Sequence, residues 1–172
     1  MSKTRLCVAI GCCVFFLSTF ASAQVNRKPG LWEMTATTAW QKSPMPPGMT
    51  MPSGSNSPFG GGAHTSQVCI TQAMIDRYGA PVPQSRAGCQ VSNIQLKSNS
   101  MSADWACTGM MTGKGSIESS WTDSEHATST IHFLGSMQMG QNATPVEYTI
   151  NATSVYKGPD CGSVKPVTLP DK

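Results

Sequence analysis

Residues 88–108 read GCQVSNIQLKSNSMSADWACT, and this stretch decides the fold. Its second half alternates strictly: Met101, Ala103, Trp105 and Cys107 are separated by single polar or small residues. Period-two alternation indicates a β-strand with one buried face. The preceding Lys97-Ser98-Asn99-Ser100 segment suits a turn. The sequence therefore predicts a β-hairpin folded about residues 97–100.

Folding about this turn places Cys89 opposite Cys107 and Val91 opposite Trp105. The alternation slips by one residue near positions 92 and 93, and a β-bulge there would return the next apolar residues to the buried face. Opposed cysteines in a strand pair lie within disulfide reach. A disulfide closing this loop of roughly 17 residues would contribute about 3 kcal/mol to stability.

The N-terminus has the three parts of a secretory signal peptide. Two basic residues precede an apolar run from Leu6 to Phe20, and Ala21-Ser22-Ala23 forms a small-residue cleavage site. We expect residues 1–23 to be removed, leaving residues 24–172 as a single exported β-rich domain. The apolar run is too short for a stable membrane span. Cys12 lies inside the run rather than after it, which argues against a lipoprotein.

Four cysteines remain after cleavage, namely Cys69, Cys89, Cys107 and Cys161, and they allow three pairings. An even number in an exported chain indicates two disulfides. The hairpin favours Cys89–Cys107, which leaves Cys69–Cys161 to tie the C-terminal tail to the start of the predicted helix. No C-x-x-C occurs, so neither a zinc knuckle nor a thioredoxin-type redox site is indicated.

The charge of the chain argues against nucleic acid and acidic membrane surfaces as partners. The sequence has 12 Lys and Arg against 9 Asp and Glu, and cleavage removes two of the basic residues, so the mature net charge is near +1. No basic run occurs, and nucleic acid is therefore not an expected partner.

The segments flanking the hairpin predict further strands and one helix. Alternation from Trp32 to Trp40 indicates a strand. Residues 41–63 are rich in Pro, Gly, Ser and Met and predict a flexible exposed loop. Thr71 is placed to cap a short helix that runs through Tyr78.

Downstream, alternating stretches are separated by predicted turns at 112–115 and 123–126 and by a polar loop at 135–145. Several strands at short spacing predict a mainly β fold. We expect a curled antiparallel meander or partly closed barrel with one short helix, since curling or closure protects sheet edges.

The sequence contains, in this order, the motifs KPGLWEMT, VCIT, a central GC, WACTG and a late GPDCG. With them, the mature chain resembles the bacterial family catalogued as domain of unknown function 3617. The resemblance implies export to the periplasm of a Gram-negative bacterium and supports the cystines. It implies no catalytic residues, because the family has none assigned.

Two groups of residues could form a binding site. The tryptophans Trp32, Trp40, Trp105 and Trp121 could form a platform for an apolar ligand, with core packing as the alternative. Soft thioether ligands suit Cu(I), and the candidate ligands are Met45, Met49, Met51 and His64. Gap-filling and linker methionines are the alternative to metal binding.

No catalytic constellation is visible, because G-x-S-x-G is absent and the histidines have no patterned nucleophile beside them. We therefore predict a non-enzymatic periplasmic binding or interaction module without a cofactor. Its partner would be a small apolar ligand or an envelope protein. The alternatives are a Cu(I)-binding protein that uses the Met-rich loop and an envelope hydrolase.

Overall fold

The computed structural model describes residues 27–45, 62–78 and 88–167. These residues form one seven-stranded antiparallel sheet, which is not closed, and one helix. Across the sheet the strands follow the order β2-β1-β7-β6-β5-β4-β3. The elements are β1 (Gly30–Lys42), β2 (Ala63–Ile70), α1 (Gln72–Tyr78), β3 (Cys89–Leu96), β4 (Ser100–Cys107), β5 (Met111–Trp121), β6 (His126–Met139) and β7 (Asn142–Gly158). The predicted mainly β class is confirmed. The predicted signal peptide lies outside the described residues.

The central hairpin is confirmed in its register. β3 and β4 pair Cys89 with Cys107, Val91 with Trp105 and Leu96 with Met101. The predicted bulge is present as a register shift between Ser92 and Gln95, and Asn93 takes a positive φ of 51° within it. Asparagine tolerates this left-handed conformation better than most residues.

The two predicted disulfides are present. Cys89 and Cys107 lie on opposed positions of the hairpin, with Cα atoms 3.9 Å apart. Cys69, at the end of β2, is bonded to Cys161, with Cα atoms 5.5 Å apart. The tail also pairs with β2 directly, because the backbone N–H of Val167 donates to the carbonyl oxygen of Cys69 at 3.0 Å. The C-terminal tail is thereby fixed along the free edge of the sheet.

The predicted turn at 112–115 is wrong. β5 starts at Met111, and Gly113 and Gly115 lie within it, paired to Gly135 and Phe133 of β6. Neither glycine leaves room for a side chain: the ring of Phe133 lies beside Gly113, and backbone atoms of His132 and Phe133 lie beside Gly115. A Cβ built on Gly113 would lie 2.8 Å from Cζ of Phe133.

The predicted polar loop at 135–145 is wrong as well. β6 continues through Met139 and β7 begins at Asn142, so only Gly140 and Gln141 form the turn. Gly140 has a positive φ of 66°, which suits such a tight connection. The long ladder between β6 and β7 holds the polar residues of this segment in the sheet despite their loop-like composition.

The bounds predicted for the loop at 41–63 are wrong at both ends, because β1 extends through Lys42 and β2 begins at Ala63. Residues 46–61 lie outside the described residues. The helix agrees with its prediction: α1 ends at Tyr78, and the hydroxyl of Thr71 accepts a hydrogen bond from the backbone N–H of Met74 at 3.2 Å. At 7 residues, the described helix is too short to cross a membrane.

The sheet has two chemically different faces. The inner face carries most of the buried apolar side chains, including those of Trp32, Ile117 and Phe133, and α1 packs against one end of it. The outer face is polar, and one row places a hydroxyl on each of six neighbouring strands. This row consists of Thr65, Thr35, Thr153, Thr128, Ser120 and Ser100.

Candidate functional site

One end of the inner face is formed by a continuous row of four aromatic rings. Trp40 meets Tyr148 with ring centroids 5.0 Å apart, Tyr148 stacks on Phe133 at 5.2 Å, and Phe133 meets Trp105 at 5.9 Å. These residues lie on β1, β7, β6 and β4. Phe133 and Tyr148 are buried, whereas Trp40 and Trp105 at the two ends of the row are half-buried. Such offset and edge-to-face pairs stabilise a fold beyond their buried area.

The row can cross β5 because the residue at that point is glycine. Gly115 pairs with Trp105 on one side and with Phe133 on the other. With no side chain between them, the two rings approach each other over the strand. A glycine inside a strand often marks such a close approach.

Aliphatic residues form the floor beside this aromatic row. Ile150, Ile131 and Ile117 occupy successive register positions on β7, β6 and β5. Ile117 is buried, but Ile131 and Ile150 remain half-buried. The described residues therefore leave part of an apolar surface uncovered in the middle of the inner face.

Arg27 lies at the opposite end of the inner face, between two tryptophans. Its guanidinium carbon lies 4.4 Å from the ring centroid of Trp32 and 5.5 Å from that of Trp121. Trp32 is on β1 and Trp121 on β5, three strand spacings apart, or about 14 Å in a flat sheet. One side chain can contact both rings because the sheet curls at this end.

Burial governs the electrostatics of Arg27. The residue is only 5 % exposed, and its Nε has no hydrogen-bond partner among the described residues. Burial lowers the pKa of Arg27 to about 10, an effect that the negative charge of Asp123 partly opposes. The guanidinium therefore remains cationic at neutral pH.

Helix α1 covers the Arg27 end of the inner face. Met74 and Ile75 are buried and pack with Trp32 and Ile70. Tyr78, the last residue of the helix, contacts both this cluster and the one formed around Trp121. The helix and Arg27 thus lie at one end of the inner face and the aromatic row at the other, with the Ser119–Ser129 pair between the apolar floor and Trp121.

The four predicted tryptophans lie on one face, as a shared platform requires, but the structure separates them into two pairs. Trp32 and Trp121 flank Arg27, whereas Trp40 and Trp105 are the ends of the aromatic row. Sequence reasoning missed Arg27 entirely, because nothing in its local pattern distinguishes it from an exposed arginine. It also left out Phe133 and Tyr148, which lie on β6 and β7.

The predicted metal ligands are only partly described. His64 lies on β2 opposite Ala36, and its Nε2 is buried without a hydrogen-bond partner in the described chain. Met45 follows the far end of β1. Met49 and Met51 lie outside the described residues, so the metal site of the Met-rich loop stays a prediction. Within residues 27–45, 62–78 and 88–167, no group of three or more His, Cys, Asp or Glu side chains could hold a metal ion.

The polar groups of the sheet form pairs rather than a catalytic relay. On the inner face, the hydroxyls of Ser119 and Ser129 are 2.8 Å apart and bond to each other. His126 contacts the exposed carboxylate of Asp123 through Nδ1 at 2.9 Å. Hydrogen bonds from the backbone N–H of Glu125 and the ring of His126 lower the pKa of Asp123. This carboxylate is thus committed to shaping the turn before β6.

Comparison with known protein families shows that a family model matches most of this chain. The family model described as "Protein of unknown function (DUF3617)" matches residues 27–161, which is more than half of the chain. The match begins at Arg27 and includes all four cysteines of the two disulfides. No curated protein and no solved structure matches this chain.

Proposed function

We propose that this chain, which belongs to the DUF3617 family, is a non-enzymatic periplasmic module that binds an apolar ligand on the inner face of its sheet. The observation that carries this proposal is the half-buried apolar surface between the aromatic row and helix α1. Ile131, Ile150, Trp40 and Trp105 all remain half-buried there. A contiguous apolar surface that stays open to solvent is typical of a binding site.

The chemistry of the inner face favours burial of a ligand over its conversion. Its hydroxyls at Ser119 and Ser129 satisfy each other. The carboxylates of Asp104, Glu118 and Glu147 belong to the outer face by register. A hydrolase would need a nucleophile beside a base on the face that receives the substrate.

The affinity for an apolar ligand on this face should increase regularly with the length of its alkyl chain. Burial of each methylene group contributes about 0.8 kcal/mol, so two further methylenes should improve affinity by about tenfold until the floor is filled. We expect this increase in affinity from 1-octanol to 1-decanol to 1-dodecanol, measured by tryptophan fluorescence and by the shift in melting temperature. If none of the three alcohols changes either signal, the proposal is wrong.

Two substitutions on β6 provide a matched test of which face binds. Ile131→Asn places a polar side chain on the inner face and should weaken alcohol binding, whereas Thr130→Asn on the exposed outer face should leave it unchanged. Equal effects of the two variants would contradict binding on the inner face. Circular dichroism would verify that both variants are folded.

The periplasmic part of the proposal is supported by the signal-like N-terminus and by two disulfides, which form in oxidising compartments. Fractionation of a Gram-negative host should place the protein in the periplasm. Mass spectrometry should find a mature chain that begins at Gln24 and carries no free thiol. A chain retaining residues 1–23 in the cytoplasm would contradict export.

Cu(I) binding is the second candidate, and one observation favours it. The register pairs Met111 directly with Met137, and Met139 lies two residues farther along the same strand. The backbone N–H of Gln138 donates to the carbonyl oxygen of Met110 at 2.8 Å. This makes the Met111–Met137 pair a non-hydrogen-bonded one, in which opposed side chains approach most closely. Thioether sulfurs so placed suit a soft cation such as Cu(I).

An anaerobic Cu(I) titration tests the second candidate. We expect binding tighter than micromolar that weakens in the double variant Met111→Leu/Met137→Leu. The matched control is Met34→Leu, on β1 at the other end of the inner face. Binding that is no tighter than micromolar, or that is unaffected by the double variant, would reject this site.

A further inference from the structure

Arg27 is a buried cation that forms no ion pair with any described residue. The described residues form five ion pairs, and Arg27 takes part in none of them. Of the nine Asp and Glu residues in the sequence, only Asp171 lies outside the described ranges. Buried charges in proteins are generally paired with an opposite charge or fully hydrogen-bonded. An unpaired guanidinium that is 5 % exposed therefore calls for an explanation.

The tryptophans satisfy only part of the guanidinium. Aromatic rings interact with the flat faces of this group, whereas its N–H donors point outward in its plane. Nε of Arg27 keeps an unused donor in the described structure. Nε1 of Trp121, whose ring lies beside the guanidinium, is also buried and unpartnered. In contrast, Nε1 of Trp32 donates to the carbonyl oxygen of Lys28 at 3.0 Å.

Two unused N–H donors and a positive charge at one place make a receptor for an oxyanion. The nearby carboxylate of Asp123 does not fill this role, because it is more than half exposed and bonds to His126 and to backbone N–H groups of its own turn. An oxyanion brought by a ligand could accept from both Arg27 and Trp121, as charge-assisted hydrogen bonds favour.

We infer that the ligand of the inner face is a long alkyl chain ending in an oxyanion, with the oxyanion bound by Arg27 and Trp121 and the alkyl chain lying along the apolar floor. This inference rests on the proposed function and specifies its ligand class. Trp40 lies eight positions after Trp32 on β1, which corresponds to about 26 Å of extended strand. The inner face is thus long enough for an extended chain to run from Arg27 toward the aromatic row.

The experiment compares three ligands of equal chain length: dodecanoate, dodecyl phosphate and neutral 1-dodecanol. The two anions are kept below their critical micelle concentrations and the alcohol below its solubility limit. With the wild-type mature chain at neutral pH, we expect at least one of the two anions to bind at least tenfold more tightly than the alcohol, by tryptophan fluorescence and calorimetry. The stronger of the two anions distinguishes a carboxylate ligand from a phosphate ligand.

Charge variants assign the preference to Arg27. Arg27→Met should abolish the preference for the anion while leaving the affinity for 1-dodecanol within about threefold, and Arg27→Lys should retain part of it because the charge remains. Arg77→Met is the matched control, since it removes an exposed arginine from helix α1 at the same end of the sheet and should leave the preference intact. Trp121→Phe keeps an aromatic ring but removes the N–H, and should weaken anion binding only.

The outcomes separate this inference from the proposed function. Equal affinity of the wild-type chain for the alcohol and both anions would overturn the inference and leave an apolar binding module. An anion preference that survives in a folded Arg27→Met variant would also overturn it. Failure of all three ligands to bind would overturn the proposed function itself. If Arg27→Met does not fold, the wild-type comparison together with Arg27→Lys and Trp121→Phe still decides.

Discussion

Replacing Gly115 with alanine should destabilise the protein strongly although the change adds one methyl group. A Cβ at this position would collide with the carbonyl oxygen of His132 and lie 3.2 Å from Cα of Phe133. Both atoms belong to the backbone of β6, so no side-chain rotation relieves the collision. β5 would have to move away from β6, and the rings of Trp105 and Phe133 would separate with it.

The expected cost follows from these two effects. Overpacking costs about 1–3 kcal/mol, and loss of the aromatic contact between Trp105 and Phe133 adds about 0.5–1.5 kcal/mol. We therefore expect Gly115→Ala to lower the free energy of unfolding by about 1.5–4.5 kcal/mol, measured from urea denaturation curves. The near-ultraviolet circular dichroism of the aromatic row should weaken in parallel.

Gly62→Ala is the control for this prediction. A Cβ on Gly62 would meet no atom within 4 Å, so the substitution should change the unfolding free energy by no more than about 0.5 kcal/mol. If Gly115→Ala changed the unfolding free energy as little as Gly62→Ala, the structural role assigned to Gly115 would be refuted.

Three further measurements test other parts of the fold. Replacing Cys89 and Cys107 together with alanine should lower the free energy of unfolding by about 3 kcal/mol, because it opens a loop of roughly 17 residues. A variant with the same denaturation midpoint as the oxidised wild-type protein would contradict this. Burial raises the pKa of Tyr148 to about 12. The stability contributed by the neutral, buried phenol is therefore complete below about pH 10, the pKa of an unfolded tyrosine, and is lost as the pH rises toward 12. Tyr148→Phe should therefore flatten the alkaline decline in melting temperature. Hydrogen bonds, of which that from the backbone N–H of Glu125 has the largest effect, lower the pKa of Asp123 below 3.8. The stability that the ionised carboxylate contributes is therefore present above pH 3.8 and is lost as the pH falls through the pKa of the folded state. Asp123→Asn should make the melting temperature less sensitive to acid, and an identical acid profile would count against this role.

The sequence predicted the central hairpin well because several local signals agree there. The turn residues at 97–100, the alternation through Trp105 and the opposed positions of Cys89 and Cys107 all require the same register. Even the bulge was predictable, because the apolar pattern changes phase at that point and Asn93 accepts the positive φ. The disulfide then followed from the register rather than from cysteine spacing alone.

Glycine was the residue that sequence reasoning misread. Gly113, Gly115 and Gly135 were assigned to turns or loops because glycine usually marks them. In the sheet they make room for the ring of Phe133 and for its contact with Trp105. That demand comes from a ring on another strand, and no local window of sequence contains it.

The binding site was predicted only in part for a similar reason. Alternation placed the tryptophans on inward-facing positions, but their division into two groups depends on how the sheet curls. The burial of Arg27 depends on Trp32 and Trp121 meeting around it, and these residues are far apart in sequence. A charged residue two positions before a Pro-Gly pair gives no signal of this environment.

The bond between Cys69 and Cys161 has a consequence for the protein's behaviour in a reducing environment. It holds the tail against the C-terminal end of the edge strand β2, where Pro166 bridges to Cys69. On the opposite border, β3 is kinked by its bulge, which hinders the docking of another chain. Cleavage by a reductant would free the tail and expose the hydrogen-bonding groups at the Cys69 end of β2. Reduction of this disulfide should therefore promote self-association through that strand before it unfolds the sheet.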